Sequence, residues 1–302
     1  MILIDGVEIL TIQDGIQWGG AKDLVTRTLD FSFLYNPLKD DIPKYKASVN
    51  SKVEWIENGK TLFLGYIETL PYNTDEDTIS VSCVDLASRL VRSKFVGRMR
   101  GTLTQLANKI CGSFNIKSEV KSDSTHVHNI VSDGDLSYYD VLKTACDVMF
   151  ERYTLYMDGD TLKLATHEVQ NTFEIYKNIR SSNFKQSMSD MVTRVLVIDS
   201  DGKLLNAVED KENLAKFGLF QEVYNYNKDV KNNLAEAKKL LKGVENEATI
   251  VCDNDNNCIS GRFIKIIEPV NNFQGVFEIQ TDNHTIGLDS SMELEVKYVT
   301  GG

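Results

Sequence analysis

His126 and His128, followed by Asp133 and Asp135, have the residue types of a metal site. Two histidines two apart supply two ligands, but no third ligand follows at a recognised spacing. A polar surface loop accounts for the same residues. Asp253-Asn254-Asp255-Asn256-Asn257 copies the opening of a calcium loop. Such a loop needs glycine at its sixth position and glutamate at its twelfth, where this chain has Cys258 and Ile264. The run reads instead as a turn between strands, which Asn and Asp favour. Asp282-X-His284 has the makings of an acid–base pair. No serine stands in a Gly-X-Ser-X-Gly setting, nothing matches His-Glu-X-X-His, and no phosphate-binding glycine loop occurs. Asp282 and His284 are therefore expected to fix a tight strand connection by bonding to backbone. Carboxylate pairs for glycoside cleavage carry no information among 44 acidic residues. Cys83, Cys111, Cys146, Cys252 and Cys258 are scattered, odd in number and without CxxC spacing, and they read as buried free thiols. Cys252 and Cys258 flank the Asp/Asn-rich turn and could pair in an oxidising compartment. No catalytic residue, cofactor site or metal-ligand set is expected.

The elements that would have to position such residues are mostly strands. The chain of 302 residues exceeds the size at which single cores stop growing, so two to four compact units are expected. Hydrophobic residues make up 42% and charged residues 25%, as in ordinary globular proteins. No apolar run reaches the roughly 18 residues of a membrane span, so no stable membrane anchor is expected. The opening Met1 to Leu10 lacks the basic residues and long apolar core of a signal peptide and looks like a hairpin turning at Asp5-Gly6. Synthesis in a cytoplasm, without signal-peptide export, is the expectation. A net charge of −11 disfavours sequence-independent nucleic-acid binding.

Residues 20–37 hold a first strong strand, with Val25, Thr26, Thr28, Leu29, Phe31, Phe33 and Tyr35, ended by Asn36-Pro37. Val53, Trp55 and Ile56, the turn Asn58-Gly59, and Thr61 to Leu70 form a hairpin; Thr78 to Val84 returns. Residues 1–95 read as an antiparallel barrel or sandwich. A helix over Thr102 to Phe114 and a second capped by Ser137 flank a polar loop, Ser118 to Gly134. A hairpin follows, turning at Asp158-Gly159-Asp160. Residues 96–168 thus read as a small α+β insert. Residues 169–302 return to strands: Thr172 to Ile175, Val192 to Ile198, Lys203 to Val208, Gln221 to Tyr226, Glu247 to Cys252 and Arg262 to Ile267. They carry one convincing helix, Asp229 to Lys242, stopped at Gly243, while Lys211 to Phe217 reads as irregular or helical. Val276 to Gln280 and Met292 to Tyr298 alternate apolar and polar residues on either side of a polar break. The aromatic residues look like core, with Trp18 and Trp55 as the largest anchors. The expected fold is α+β and β-dominated.

Several of these stretches resemble the baseplate hub proteins of contractile phage tails, of the XkdQ/YqbQ type and like the late-control protein D. Hubs of phage-tail-like bacteriocins are similar too. The resemblance is carried by Leu219 to Tyr224, Ala235 to Leu241, Cys258-Ile259-Ser260-Gly261, Gly275 to Ile279, Asp282-X-His284 and Met292-X-Leu294. Tyr138 to Leu142 and the hairpin Tyr156 to Leu164 add to it. It spans nearly the whole chain, each motif is loose, and none is catalytic in the family. It implies two tail-tube-like β-barrel or sandwich domains flanking the insert, and a homotrimer forming a pseudo-hexameric ring. That ring would join the six-fold tail tube to a trimeric central spike, beside other baseplate proteins in the tail. Three acidic chains would line a lumen past which DNA slides without sticking. Two other readings are a tail-tip cell-wall hydrolase, which would need a nucleophile or metal set, and a glycan-binding module, which would need an exposed aromatic platform.

Overall fold

The computed structural model describes residues 1–22, 24–36, 38–71, 76–121, 125–148, 153–166, 169–174, 177–228, 230, 232–267 and 274–299. Pro37, Met149, Ile175 and Asp229, and part of the turn after Pro71, lie outside them. The chain divides into two units, Met1–Ser182 with Thr249–Gly302, and Asn183–Ala248.

The first unit opens with β1 (Ile2–Ile4) and β2 (Val7–Glu8), then β3 (Ile12–Ala21), β4 (Leu24–Leu34), β5 (Lys52–Glu57), β6 (Lys60–Thr69) and β7 (Thr78–Asp85). The turns at Asp5-Gly6 and Asn58-Gly59 put both residues at positive φ, as two-residue hairpins require. β3 is a long strand that its sequence conceals: Gly15, Gly19 and Gly20 break the apolar alternation. These glycines instead permit close approach, since a Cβ on Gly19 would lie 2.7 Å from the Asp282 carbonyl oxygen.

A short helix α1 (Ser88–Arg92) leads to β8 (Lys94–Gly101), α2 (Leu103–Ser113), β9 (Lys117–Val120), β10 (His128–Ser137) and α3 (Tyr138–Asp147). Both longer helices start in capping boxes. Thr102 Oγ1 accepts from the Gln105 N–H while Gln105 Oε1 accepts from the Thr102 N–H, and Ser137 and Asp140 repeat the exchange. The polar stretch expected to be a loop from Ser118 to Gly134 is instead partly strand. In β10, His128, Ile130 and Ser132 are buried while Asn129, Val131 and Asp133 face out. Polar residues on both faces hid that period of two. β8 and β10 pair as a two-stranded ribbon. β11 (Tyr153–Asp158) and β12 (Thr161–Thr166) form the expected hairpin, with β9 added in parallel to β12. Leu103, Leu106, Ile110, Val141, Leu142, Leu162 and Leu164 make one core here.

β13 (Val169–Glu174) and β14 (Ile179–Ser187) lead into the second unit, which holds β15 (Arg194–Ile198), β16 (Leu204–Glu209), α4 (Lys211–Phe217), β17 (Gln221–Asn225) and α5 (Asn233–Lys239). Its three-stranded sheet runs β16-β15-β17, with a core of Val195, Val197 and Ala237. The helix expected to reach Lys242 ends at Lys239, because Lys242 forms a bridge with Val192 instead. Lys211–Phe217 is helical, capped by Asp210, so this region holds two helices rather than one.

The chain returns through β18 (Glu245–Asp253), β19 (Phe263–Ile267), β20 (Gly275–Ile286) and β21 (Ser291–Tyr298). In the first unit the main sheet runs β18-β21-β20-β3-β4-β7-β6-β5-β1-β2, so strands from the two ends of the sequence lie side by side. Trp18, Leu29, Phe31, Phe33, Trp55 and Phe63 form its core. The fold is β-dominated α+β. Among the described residues no helix is long and apolar enough to cross a membrane.

Candidate functional site

The polar break expected after Gln280 is absent, and its place is taken by a β-bulge. β20 continues unbroken, but its register with β21 shifts between Ile279 and Thr281. One extra residue exchanges the two faces of a strand. Before the bulge Phe277 and Ile279 are buried; after it Asp282 and His284 are. The two residues are thus not at a strand connection. They lie inside a central strand, Asp282 opposite Gly20 and His284 opposite Trp18 on β3.

A third charged residue meets them. β4 buries Val25, Arg27, Leu29, Phe31 and Phe33, every second residue, so Arg27 occupies an inward position. Its guanidinium forms a two-pronged pair with the Asp282 carboxylate, one prong at 3.0 Å. It also stacks over Trp18, its central carbon 4.0 Å from the ring centroid. Gly20 makes the room: a Cβ there would sit 2.7 Å from Arg27 Nη1. Asp282 Oδ1 further accepts the Ser260 N–H at 2.6 Å. Burial pushes the Asp282 carboxyl up. The Arg27 charge and the bonds from His284 and Arg27 outweigh that and hold it well below the usual carboxylate range.

His284 is fully buried between two chains of acceptors. Its Nε2 lies 3.2 Å from both Asp282 Oδ2 and the Cys258 carbonyl oxygen. Its Nδ1 faces Asn254 Oδ1 at 2.7 Å. The Asn254 amide donates to Asn256 Oδ1, and the Asn256 amide donates to the Glu57 carboxylate. Followed back from Glu57, this chain leaves the Asn254 side-chain oxygen facing Nδ1. Among the described residues no hydroxyl or thiol bonds to His284. The cluster can clamp β4, β20 and the segment after β18 together, but it presents no nucleophile.

The other candidates are also engaged locally. His126 and His128 meet edge to face, with ring centroids 4.6 Å apart. Asp133 stands five residues further along the ribbon, roughly 17 Å away at strand rise. Asp135 accepts from Ser132 Oγ at 2.7 Å and from the Leu136 N–H at 2.8 Å, the serine bond chiefly holding its carboxyl low. In the Asp253–Asn257 run, Asp253 binds Arg180 and Asp255 accepts from the Asn257 N–H at 2.9 Å, an Asx turn. Among the described residues no three His, Cys, Asp or Glu side chains converge as metal ligands would. All five cysteines are free and buried. Burial pushes the thiols of Cys111, Cys146 and Cys252 up to about 12 and those of Cys83 and Cys258 further, which removes them as nucleophiles.

Sequence reading passed over Arg27 and Asp85. Asp85 ends β7, where its carboxylate accepts the N–H groups of Arg27 and Ala87, each at 3.0 Å. Burial raises its carboxyl to about 7 against those bonds and the Arg27 charge. A carboxyl raised on folding makes the folded state bind more protons between about pH 4 and its folded value. Stability from Asp85 is therefore lost as pH rises from about 4 to about 7. Asp282, shifted the other way, contributes stability that is lost only as pH falls through the acidic range. The urea midpoint is expected to drop between pH 5 and pH 8, and the drop to shrink in Asp85→Asn. Parallel pH curves for the two proteins would refute the assignment.

A family model described as YQBQ-like matches residues 16–297. No curated protein matches the chain. Among solved structures, the 43 kDa tail protein of prophage MuSo2 from Shewanella oneidensis is 16% identical with a TM-score of 0.75, covering 98% of this chain and 96% of its own. A tail protein from Neisseria meningitidis MC58 is 15% identical with a TM-score of 0.71, over 98% and 95%. The E. coli c3393 protein, described as a type VI secretion system component with structural similarity to the bacteriophage T4 tail proteins gp27 and gp5, is 11% identical. Its TM-score is 0.55, over 100% of this chain and 77% of its own. These likenesses establish a shared fold.

Proposed function

Because the chain belongs to the YQBQ-like family, we propose that it is a structural component of a phage tail or tail-like particle, a trimeric hub joining the six-fold tail tube to a three-fold central spike. The observation that carries this reading is the whole-length likeness to phage tail proteins. The described similarity of the E. coli c3393 protein to tail proteins of T4 points the same way. On this reading residues 1–95 and 169–302 act as two tube-like domains around the insert of residues 96–168. Three chains then offer six such domains to a six-fold tube, a usual use of closed symmetry. The lateral pairing of β3 with β20 joins strands from both ends of the chain into one sheet. It is a contact of the kind by which such domains would close a ring.

The hub works without chemistry of its own. The acid–base candidates Asp282 and His284 are engaged in the clamp with Arg27. The protein would be made in a bacterial cytoplasm and assembled there with tube, spike and baseplate proteins. Its net charge of −11 per chain lets DNA pass without sticking.

Light scattering across a concentration series tests the reading. A mass three times 34.0 kDa is the expected result. A monomer at every concentration that stays monomeric when mixed with the tube and spike proteins would overturn the trimeric hub.

A further inference from the structure

Charge is distributed unevenly along this acidic chain. From Leu86 to Ser118 there is no Asp or Glu, while Arg89, Arg92, Lys94, Arg98, Arg100, Lys109 and Lys117 are all cationic. Several of these are already occupied. Arg92 pairs with Glu68, Arg89 stacks over Tyr66 at 4.2 Å, Lys94 donates to the Asp135 carbonyl at 2.9 Å, and Lys117 pairs with Asp160 at 2.6 Å. Arg98 and Arg100 are different. Both are exposed on β8, and neither has a carboxylate partner among the described residues.

The ribbon places them on one face. The inner face of β8 buries Phe95 and Met99, and that of β10 buries His128, Ile130 and Ser132. The outer face presents Val96, Arg98 and Arg100 from β8, opposite Asp133, Val131 and Asn129 from β10. Val96 is 71% exposed and Val131 59%, so two β-branched side chains lie open beside two unpaired guanidinium groups. Arg98 and Arg100 are two residues apart on one strand, about 7 Å. That is also the spacing of alternate side chains on any extended segment laid along them.

We propose that this outer face is a docking surface for a short, extended, acidic segment of a partner protein. Carboxylates on alternate positions meet Arg98 and Arg100, where guanidinium–carboxylate pairing is two-pronged and directional. Apolar side chains of the same segment cover Val96 and Val131. Asp133, at the end opposite Val96, sets polarity by repelling an acidic residue there. Charge complementarity calls for an anionic occupant, and two features favour a short acidic segment over nucleic acid. Among the described residues the face exposes no aromatic ring for base stacking, Phe95 being buried. A long polyanion would also meet the net negative charge of the rest of the chain. The proposal does not rest on the hub reading.

The test uses the full chain and a labelled peptide of alternating glutamate and valine with glycine–serine flanks. Matched lysine–valine and glutamine–valine peptides and a single-stranded oligothymidine are the comparisons. Salt-sensitive binding of the glutamate peptide is expected, weakened at least about tenfold in Arg98→Glu/Arg100→Glu. Val131→Ser is expected to weaken it less, because it removes apolar contact but no charge. Both variants lie on an exposed face, and unchanged circular dichroism confirms that they fold. Absence of binding, equal binding of the glutamine peptide, or binding unchanged in the double variant would overturn the proposal. Tighter binding of oligothymidine would overturn it in favour of a nucleic-acid surface.

Discussion

Asp282→Ala is expected to cost about 3–5 kcal/mol of unfolding free energy, the range for breaking a buried ion pair by removing one partner. The reason is not the strength of the pair. Arg27 and Asp282 are each 3% exposed, so their mutual attraction mainly offsets the cost of drying two charges. Removing the carboxylate leaves the guanidinium buried over the Trp18 ring without its ion-pair partner, strips His284 Nε2 of one acceptor, and frees the Ser260 N–H. The double variant Arg27→Met/Asp282→Leu removes both charges and is expected to recover much of the loss. Urea unfolding of the three proteins decides the point. A loss below about 1 kcal/mol in the single variant would place it with surface pairs.

Trp18→Ala is expected to cost a similar amount, about 3–5 kcal/mol, as large-to-small core changes of aromatic residues do. Trp18 is 3% exposed and meets Trp55 edge-on, with ring centroids 5.4 Å apart. It also packs against His284 at 5.0 Å and under Arg27. Alanine there opens a cavity and removes the ring face that covers a buried cation. Trp18→Phe keeps a ring face, and Trp18 Nε1 makes no hydrogen bond that phenylalanine would forfeit. Phenylalanine is therefore expected to retain most of the stability. If Ala and Phe destabilised equally in thermal melts, the ring face would not matter and only fit to indole would.

Both experiments probe residues whose placement was partly legible beforehand. Trp18 and Trp55 stood out as core anchors, and both are. The β4 strand was read from Val25, Leu29, Phe31 and Phe33; the same alternation puts Arg27 on the inside, a signal present but passed over because the residue is charged. The capped starts of α2 and α3 were legible because capping is local: a Thr or Ser and its partner three residues on carry the whole interaction. The hairpin at Asn58-Gly59 was legible for the same reason.

Other features were hidden by interactions distant in sequence. No strand is read over residues 12–19 because the glycines of β3 answer to neighbours: Gly19 to the Asp282 backbone and Gly20 to the Arg27 side chain. β10 looked like a loop because its inward face includes His128 and Ser132, which are buried only through their surroundings. The terminal strand seemed to break after Gln280 because a bulge exchanges its faces there, and a bulge is defined by the partner strand. The amino-acid sequence by itself determined the β-dominated α+β class, the capped helices, the tight turns and the buried thiols, all set by local propensity or by strict alternation. Tertiary structure alone decided that β20 lies beside β3, and that Arg27, Asp282 and His284 meet. A lone charge on a strand is costly to bury, and only the partner supplied from some 255 residues away makes that position tolerable.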